Sequence, residues 1–249
     1  MPADWAPLAW LALLFLPLLV LEHWLSQHLQ GLGLLISADP ETAVLLQYIV
    51  LLPGTILHEL SHFVAAKLVG VKTKGMSLRP QAKRGGNVRF GAVTVGKSDP
   101  FRESWIGLAP LLAGSAAILL LARWRFGMEV LPALRPQVVV ETVTSSLRTA
   151  DVLLWLYLIF AISNAMLPSE SDRQPWGPVL LFLALAAALV YLTGLLPQIP
   201  VAVKRGFLAG VTYLALAFGV AVSVDIPVAL LILALEKLSE TLLHRHVEY

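Results

Sequence analysis

The sequence has no cysteine and very little charge. Without cysteine there are no disulfides and no thiolate-held metals, so any bound metal must rely on His and carboxylate side chains. Only 14% of the 249 residues are Asp, Glu, Lys or Arg, against about 25% in soluble domains. Low-complexity segments and internal repeats are also lacking. Residues 1–7 carry Asp4 but no Lys or Arg ahead of a long apolar run, which is unlike a cleaved signal peptide. No polar loop is long enough to bury a core of its own. Residues 1–249 are therefore expected to form one membrane-embedded unit with no appended soluble domain.

What the chain does have is apolar sequence of spanning length. Hydrophobic residues make up 57% of it, and its mean hydropathy is +0.77. At about 20 apolar residues per crossing, the reading is an all-α polytopic membrane protein with about six transmembrane helices. They fall near residues 5–25, 42–69, 105–121, 152–167, 177–196 and 207–235. Trp5, Trp10 and Trp24 are candidate interface anchors. Pro53-Gly54 predicts a kink or local unwinding in the second span. Asp225 and Pro227 interrupt the long sixth span.

Between the second and third spans, residues 71–104 are basic and strand-like. Two β-prone runs, 71–78 and 87–95, join through Gly85-Gly86 and predict a hairpin at the membrane surface. Its charge suits anionic lipid headgroups better than nucleic acid. Val138-Val139-Val140 suggests a surface-lying piece in the other polar stretch. With residues 71–103, the N-terminus, the 169–176 loop and the C-terminal tail on one side, that side holds about twelve Lys and Arg against about six opposite. The richer side is assigned to the cytoplasm.

The chemistry concentrates in His58-Glu59-Leu60-Ser61-His62. Two His four positions apart share one helix face, where both imidazoles reach one metal ion. The Glu between them is placed to take a proton from a metal-activated water. Ionisable groups at membrane depth are costly, which favours a functional reading over a pair of buried, hydrogen-bonded His. A catalytic zinc site wants a third protein ligand. Parity of crossings brings the segment after the fourth span to the same depth, where Pro168 turns the chain. Asp172 is the expected ligand, with Glu170 its nearest rival. Glu22, His23 and His28 read as interface residues, and His244 and His246 as a solvated tail. Asp225 is open among pairing with a polar group, capping a helix restart and facing a water path.

His58, Glu59 and His62, together with Asn164, Pro168 and Asp172, resemble the site-2 protease family of intramembrane zinc metalloproteases. That family carries His-Glu-x-x-His in its second core helix, then an Asn, a Pro and a Leu-Asp-Gly. The spacing from Asn164 to Asp172 matches, and Gly107-Leu108-Ala109-Pro110 adds to the likeness, which extends to about Gly177. Pro168 stands one position later than usual, and Ser171 and Arg173 replace the residues flanking the Asp. The resemblance implies a Zn2+ endopeptidase cutting a transmembrane protein substrate in a bacterial or archaeal cytoplasmic membrane, with its site towards the cytoplasm. It implies Glu59 as general base and Asn164 as a catalytic residue at the oxyanion or substrate. The substrate helix must unwind, and a strand edge of residues 71–95 offers a place to hold it. The competing readings are an inactive scaffold of the same fold and a metal transporter. Oligomeric state is open.

Overall fold

The computed structural model describes residues 6–82, 88–127, 151–194 and 200–247. In chain order these form α1 (Ala6–Ser37), α2 (Pro40–Leu68), β1 (Thr73–Ala82), β2 (Val88–Val95), α3 (Pro100–Phe126), α4 (Val152–Met166), α5 (Glu170–Arg173), α6 (Trp176–Leu192) and α7 (Val201–Leu243). Trp5, Gly85-Gly86 and Val138–Val140 lie outside the described residues.

Local sequence explains the helix ends. Asp39 caps α2 by accepting from the Thr42 backbone N–H at 2.8 Å, with Pro40 opening the first turn. Asp99 and Pro100 do the same for α3. Gly127, at φ 62°, closes α3 in the left-handed conformation that favours glycine.

Four helices, α1, α2, α3 and α7, are long and apolar enough to cross a membrane; α4 with the segment from Glu170 to Ala186 makes a fifth if that pair, bent by 51°, counts as one span. The expected six reduces to this because the fourth and fifth predicted spans are the two limbs of the bent pair. Helix α4 has only 15 residues, about 22 Å at 1.5 Å per residue, short of a hydrocarbon core of about 30 Å. The chain is a multi-pass membrane protein, and the apolar surface left outward agrees. Leu180, Leu181, Phe182, Leu185 and Leu189 of α6 are all more than half exposed, and no described residue of that helix is buried.

Packing partners fix helix directions. Ser26 meets Gln47, so α1 and α2 are antiparallel. Phe15 stacks on Phe218, His28 pairs with Glu236, and Arg245 donates to the Leu35 carbonyl, so α7 runs parallel to α1. This corrects the expected sidedness of the C-terminal tail: it lies beside the α1–α2 turn, at the end opposite the hairpin. Lys204 and Arg205 move to the hairpin end and Lys237 and Arg245 leave it, so the charge bias is unchanged.

Buried residues Leu18, Ile118, Ile159, Met166 and Phe218 join α1, α3, α4 and α7 into one core. Leu25, Leu51, Phe160 and Ile232 continue it towards the far end. At the hairpin end Ala65, Ala66, Val71 and Ile106 seal α2 against α3. Local unwinding at Pro53-Gly54 is not seen, since α2 is helical throughout. Gly54 instead serves a close approach: a Cβ there would lie 1.8 Å from the Ala161 carbonyl oxygen. The strands pair antiparallel from Thr73↔Val95 to Ala82↔Val88, with irregularities between Thr73 and Gly75 and between Ser77 and Pro80.

The ends of α3 and α4 are tied together beyond the core. Asp151 accepts from Trp155 Nε1 at 2.8 Å and pairs with Arg125. These contacts, the Trp155 hydrogen bond first, hold its carboxyl below the usual carboxylate range.

Candidate metal centre

Helix α2 carries His58 and His62 one turn apart, with their rings 4.7 Å apart at an angle of 80°. Each ring is held from behind by a backbone carbonyl. His58 Nδ1 lies 2.6 Å from the Ala165 oxygen in α4, and His62 Nδ1 lies 2.8 Å from the Ile106 oxygen in α3. A carbonyl can only accept, so each Nδ1 carries a proton, and in the neutral ring each Nε2 presents a lone pair. The two Nε2 atoms then face each other at 3.1 Å.

Asp172 reaches the same point from α5. Its Oδ1 is 3.3 Å from His62 Nε2 and its Oδ2 is 3.7 Å from His58 Nε2. One ligand atom from each of the three residues falls within 4.8 Å of the others, and no other such group of His, Asp or Glu occurs among the described residues. Glu170, the rival ligand, is exposed and is not part of the group.

The chain reaches this arrangement by breaking a helix. Leu167 leaves α4 in extended conformation, with φ −70° and ψ 138°, as expected for the residue before Pro168. Ser169 then starts α5. Asp172, three residues on, accepts from the Ser169 backbone N–H at 2.8 Å and from its hydroxyl at 2.6 Å. The carboxylate therefore caps the helix while facing the two rings, and Ser169 fixes its rotamer. Two glycines of α3 let the turn settle. A Cβ at Gly107 would stand 2.3 Å from the Asp172 carbonyl oxygen, and one at Gly114 would stand 2.4 Å from Met166 Cβ.

The donors fit a small divalent cation. Four lone-pair atoms converge, and none of them is needed as a hydrogen-bond donor. Zinc in tetrahedral coordination at about 2.0–2.1 Å would hold its ligand atoms about 3.3 Å apart. The 3.1 Å between the two Nε2 atoms and the 3.3 Å from His62 Nε2 to Asp172 Oδ1 lie close to that spacing, and the 3.7 Å contact of His58 Nε2 is with the other carboxylate oxygen.

Glu59 is buried between the two His in sequence. Strand β2 lies directly on it: a Cβ at Gly91 would come 2.9 Å from Glu59 Cγ and 3.0 Å from its Oε1. Gly91 has φ +111°, which itself favours glycine. Asn164 sits next to Ala165 and turns its amide nitrogen towards the Phe160 carbonyl at 2.9 Å and Asp225 Oδ1 at 3.2 Å. Its donor end is thus engaged by groups of α4 and α7.

Sequence reasoning missed Ser169, Gly54 and Gly91. Ser169 was visible as Ser-x-x-Asp after a proline, a capping-box pattern. The glycines owe their roles to contacts distant in sequence and left no signal. The other flagged residues lie elsewhere. His28 bonds Glu236 Oε2 at 2.7 Å and stacks on Trp24 at 3.7 Å, so Trp24 packs within the protein. Glu22 and His23 fall mid-helix rather than at the end of a span. His244 ends α7, and His246 pairs with Glu240 at 3.3 Å on the surface.

Compared with family models, curated proteins and solved structures, the chain matches none.

Proposed function

We propose that the protein is an intramembrane zinc endopeptidase of the site-2 protease kind, cutting a transmembrane protein substrate within or near its helix. One observation supports this above the rest. Two imidazole Nε2 atoms and a carboxylate converge within an apolar helix bundle, each locked from behind, and with neutral rings there is no hydrogen-bond donor among them. A bridging proton relieves one pair of such atoms, whereas a divalent cation relieves all of them. His58, His62 and Asp172 would hold the ion, leaving its fourth position for water. Two imidazoles with one carboxylate are a ligand set that catalytic zinc uses.

When bound, zinc supplies a water of near-neutral pKa and a Lewis acid for the scissile carbonyl. Glu59 accepts the water proton on a carboxylate oxygen and later delivers it to the leaving amine nitrogen. Its burial under Gly91 keeps bulk water from competing for that proton. A transmembrane helix must unwind to expose a peptide bond. The hairpin, with β2 resting on Glu59, offers a strand edge to the unwound segment. The excess of Lys and Arg at the hairpin end argues for a site towards the cytoplasm.

The test is to purify wild type and Glu59→Gln, measure bound zinc by mass spectrometry, and incubate both with a panel of transmembrane peptides. Equal zinc with cleavage by wild type alone supports the proposal. Zinc with no cleavage by either supports a scaffold, and zinc flux in liposomes supports a transporter.

A further inference from the structure

A carboxylate holds a metal ion through one oxygen or through both, and the choice decides how much of the ion stays open to water. An ionised carboxyl has about four lone-pair sites, shared between its two oxygens. At Asp172 those sites are unequally taken. Oδ2 accepts from the Ser169 backbone N–H at 2.8 Å and from the Ser169 hydroxyl at 2.6 Å. Both lone pairs of that oxygen are therefore in use.

A third group steadies this arrangement. Ser169 Oγ lies 2.8 Å from Ser171 Oγ. The Ser169 hydroxyl has a single hydrogen, and Oδ2 takes it, so Ser171 is the donor between the two hydroxyls. A hydroxyl that accepts one bond while donating another is the stronger donor for it. The Asp172 backbone N–H in turn reaches the Ser169 carbonyl at 3.1 Å and holds the turn closed. Oδ1 stands outside this chain of bonds. It faces His62 Nε2 at 3.3 Å, close to the ligand spacing of tetrahedral zinc, whereas the 3.7 Å from Oδ2 to His58 Nε2 is longer than that spacing.

We propose that Ser169 is a positioning residue that sets how Asp172 binds the ion: by filling Oδ2 it leaves Oδ1 as the one ligand oxygen, and the fourth position of the metal stays free for water. With Oδ2 released, the carboxylate grips through both oxygens and crowds the water's place. The inference rests on the metal reading of the centre and not on peptide cleavage, and its test is read without substrate.

The test loads purified full-length protein with Co2+ in place of Zn2+. The visible d–d bands of Co2+ report its coordination number, being intense with four ligands and weak with five or six. The parent should give the intense spectrum. Ser169→Ala and Ser169→Gly, each saturated with Co2+, should lose band intensity severalfold. Ser169→Thr keeps a hydroxyl and should retain the parent spectrum. X-ray absorption of the zinc-loaded Ala and Gly variants should show one oxygen neighbour more than the parent. A merely structural role for Ser169 would lower affinity and leave the spectrum of the bound ion as it was. Glycine is well tolerated at a helix N-cap, so the Gly variant guards against a folding fault peculiar to Ala. A parent-like spectrum in both variants, or a five-coordinate spectrum in the parent, overturns the inference. A parent that takes up neither ion overturns it together with the metal reading. If the spectra shift as expected but the wild type cleaves nothing, the endopeptidase reading falls and the positioning role stands.

Discussion

Among the described residues, two largely enclosed His–carboxylate encounters are built differently. Near the far end, His28 Nδ1 meets Glu236 Oε2 at 2.7 Å, a direct hydrogen bond that joins α1 to α7. At the candidate metal centre, His58 and His62 spend Nδ1 on backbone carbonyls and keep Nε2 at 3.7 and 3.3 Å from Asp172. The first pair is in direct contact. The second leaves a gap whose edges suit a metal ion. A His near an acid is therefore not evidence of metal. What distinguishes a ligand is which nitrogen has been committed elsewhere.

Alanine at either set of residues should break this comparison most sharply. His58→Ala, His62→Ala or Asp172→Ala should lower zinc affinity at least about 100-fold, with stoichiometric metal lost on dialysis. His28→Ala should leave bound zinc unchanged and lower stability by about 1–3 kcal/mol, read as a fall in the thermal midpoint. Metal loss from the His28 variant would refute the distinction.

Ser169→Ala tests whether Asp172 depends on its cap. Removing the hydroxyl and its 2.6 Å bond should weaken zinc about 10-fold. Titration with a competing chelator reads this directly. Gly54→Ala asks whether the α2–α4 approach supports the site. The added Cβ must displace backbone, and a loss of about 1–3 kcal/mol is expected, again read from the thermal midpoint.

The smallest expected effect lies outside both His sites. Asp151 has its carboxyl held below the usual range by Trp155 and Arg125. A carboxyl lowered on folding adds stability above its unfolded pKa of about 4, and that contribution fades as pH falls through the lower folded value. Wild type should thus lose more stability than Asp151→Asn on acidification below about pH 4. Parallel melting curves from about pH 6 downward measure it, and since the pair is solvent-facing the difference should be slight.

Much of this was legible in the sequence because its signals are local. The pentamer at His58 needs only helical periodicity to bring two rings to one face. Caps such as Asp39-Pro40 and Asp99-Pro100 are written in adjacent residues. Asp172 was placed by parity of crossings, and that parity holds up to the end of α4 even though the next segment continues the same bent span. The last helix did not fare as well. Merging residues 152–167 and 177–196 into one bent span reversed its direction, because hydropathy records apolar length and not whether a break between two runs is a loop or an elbow. Likewise Gly54, Gly91 and Gly107 hold backbones together across distances that no window along the chain can see. Asp225 was conspicuous as a charge among apolar residues, yet its partners Ser163 and Asn164 are set by how α7 packs on α4.

The elbow between Met166 and Glu170 has a mechanical corollary. The carboxylate donor rides on the lower limb of the bent span, and the imidazoles ride on a neighbouring straight rod. An ion clasped among them would act as a rivet through two moving parts, so stripping it should loosen the elbow itself and let the lower limb swing, and chelation would change the shape of the protein as well as its chemistry.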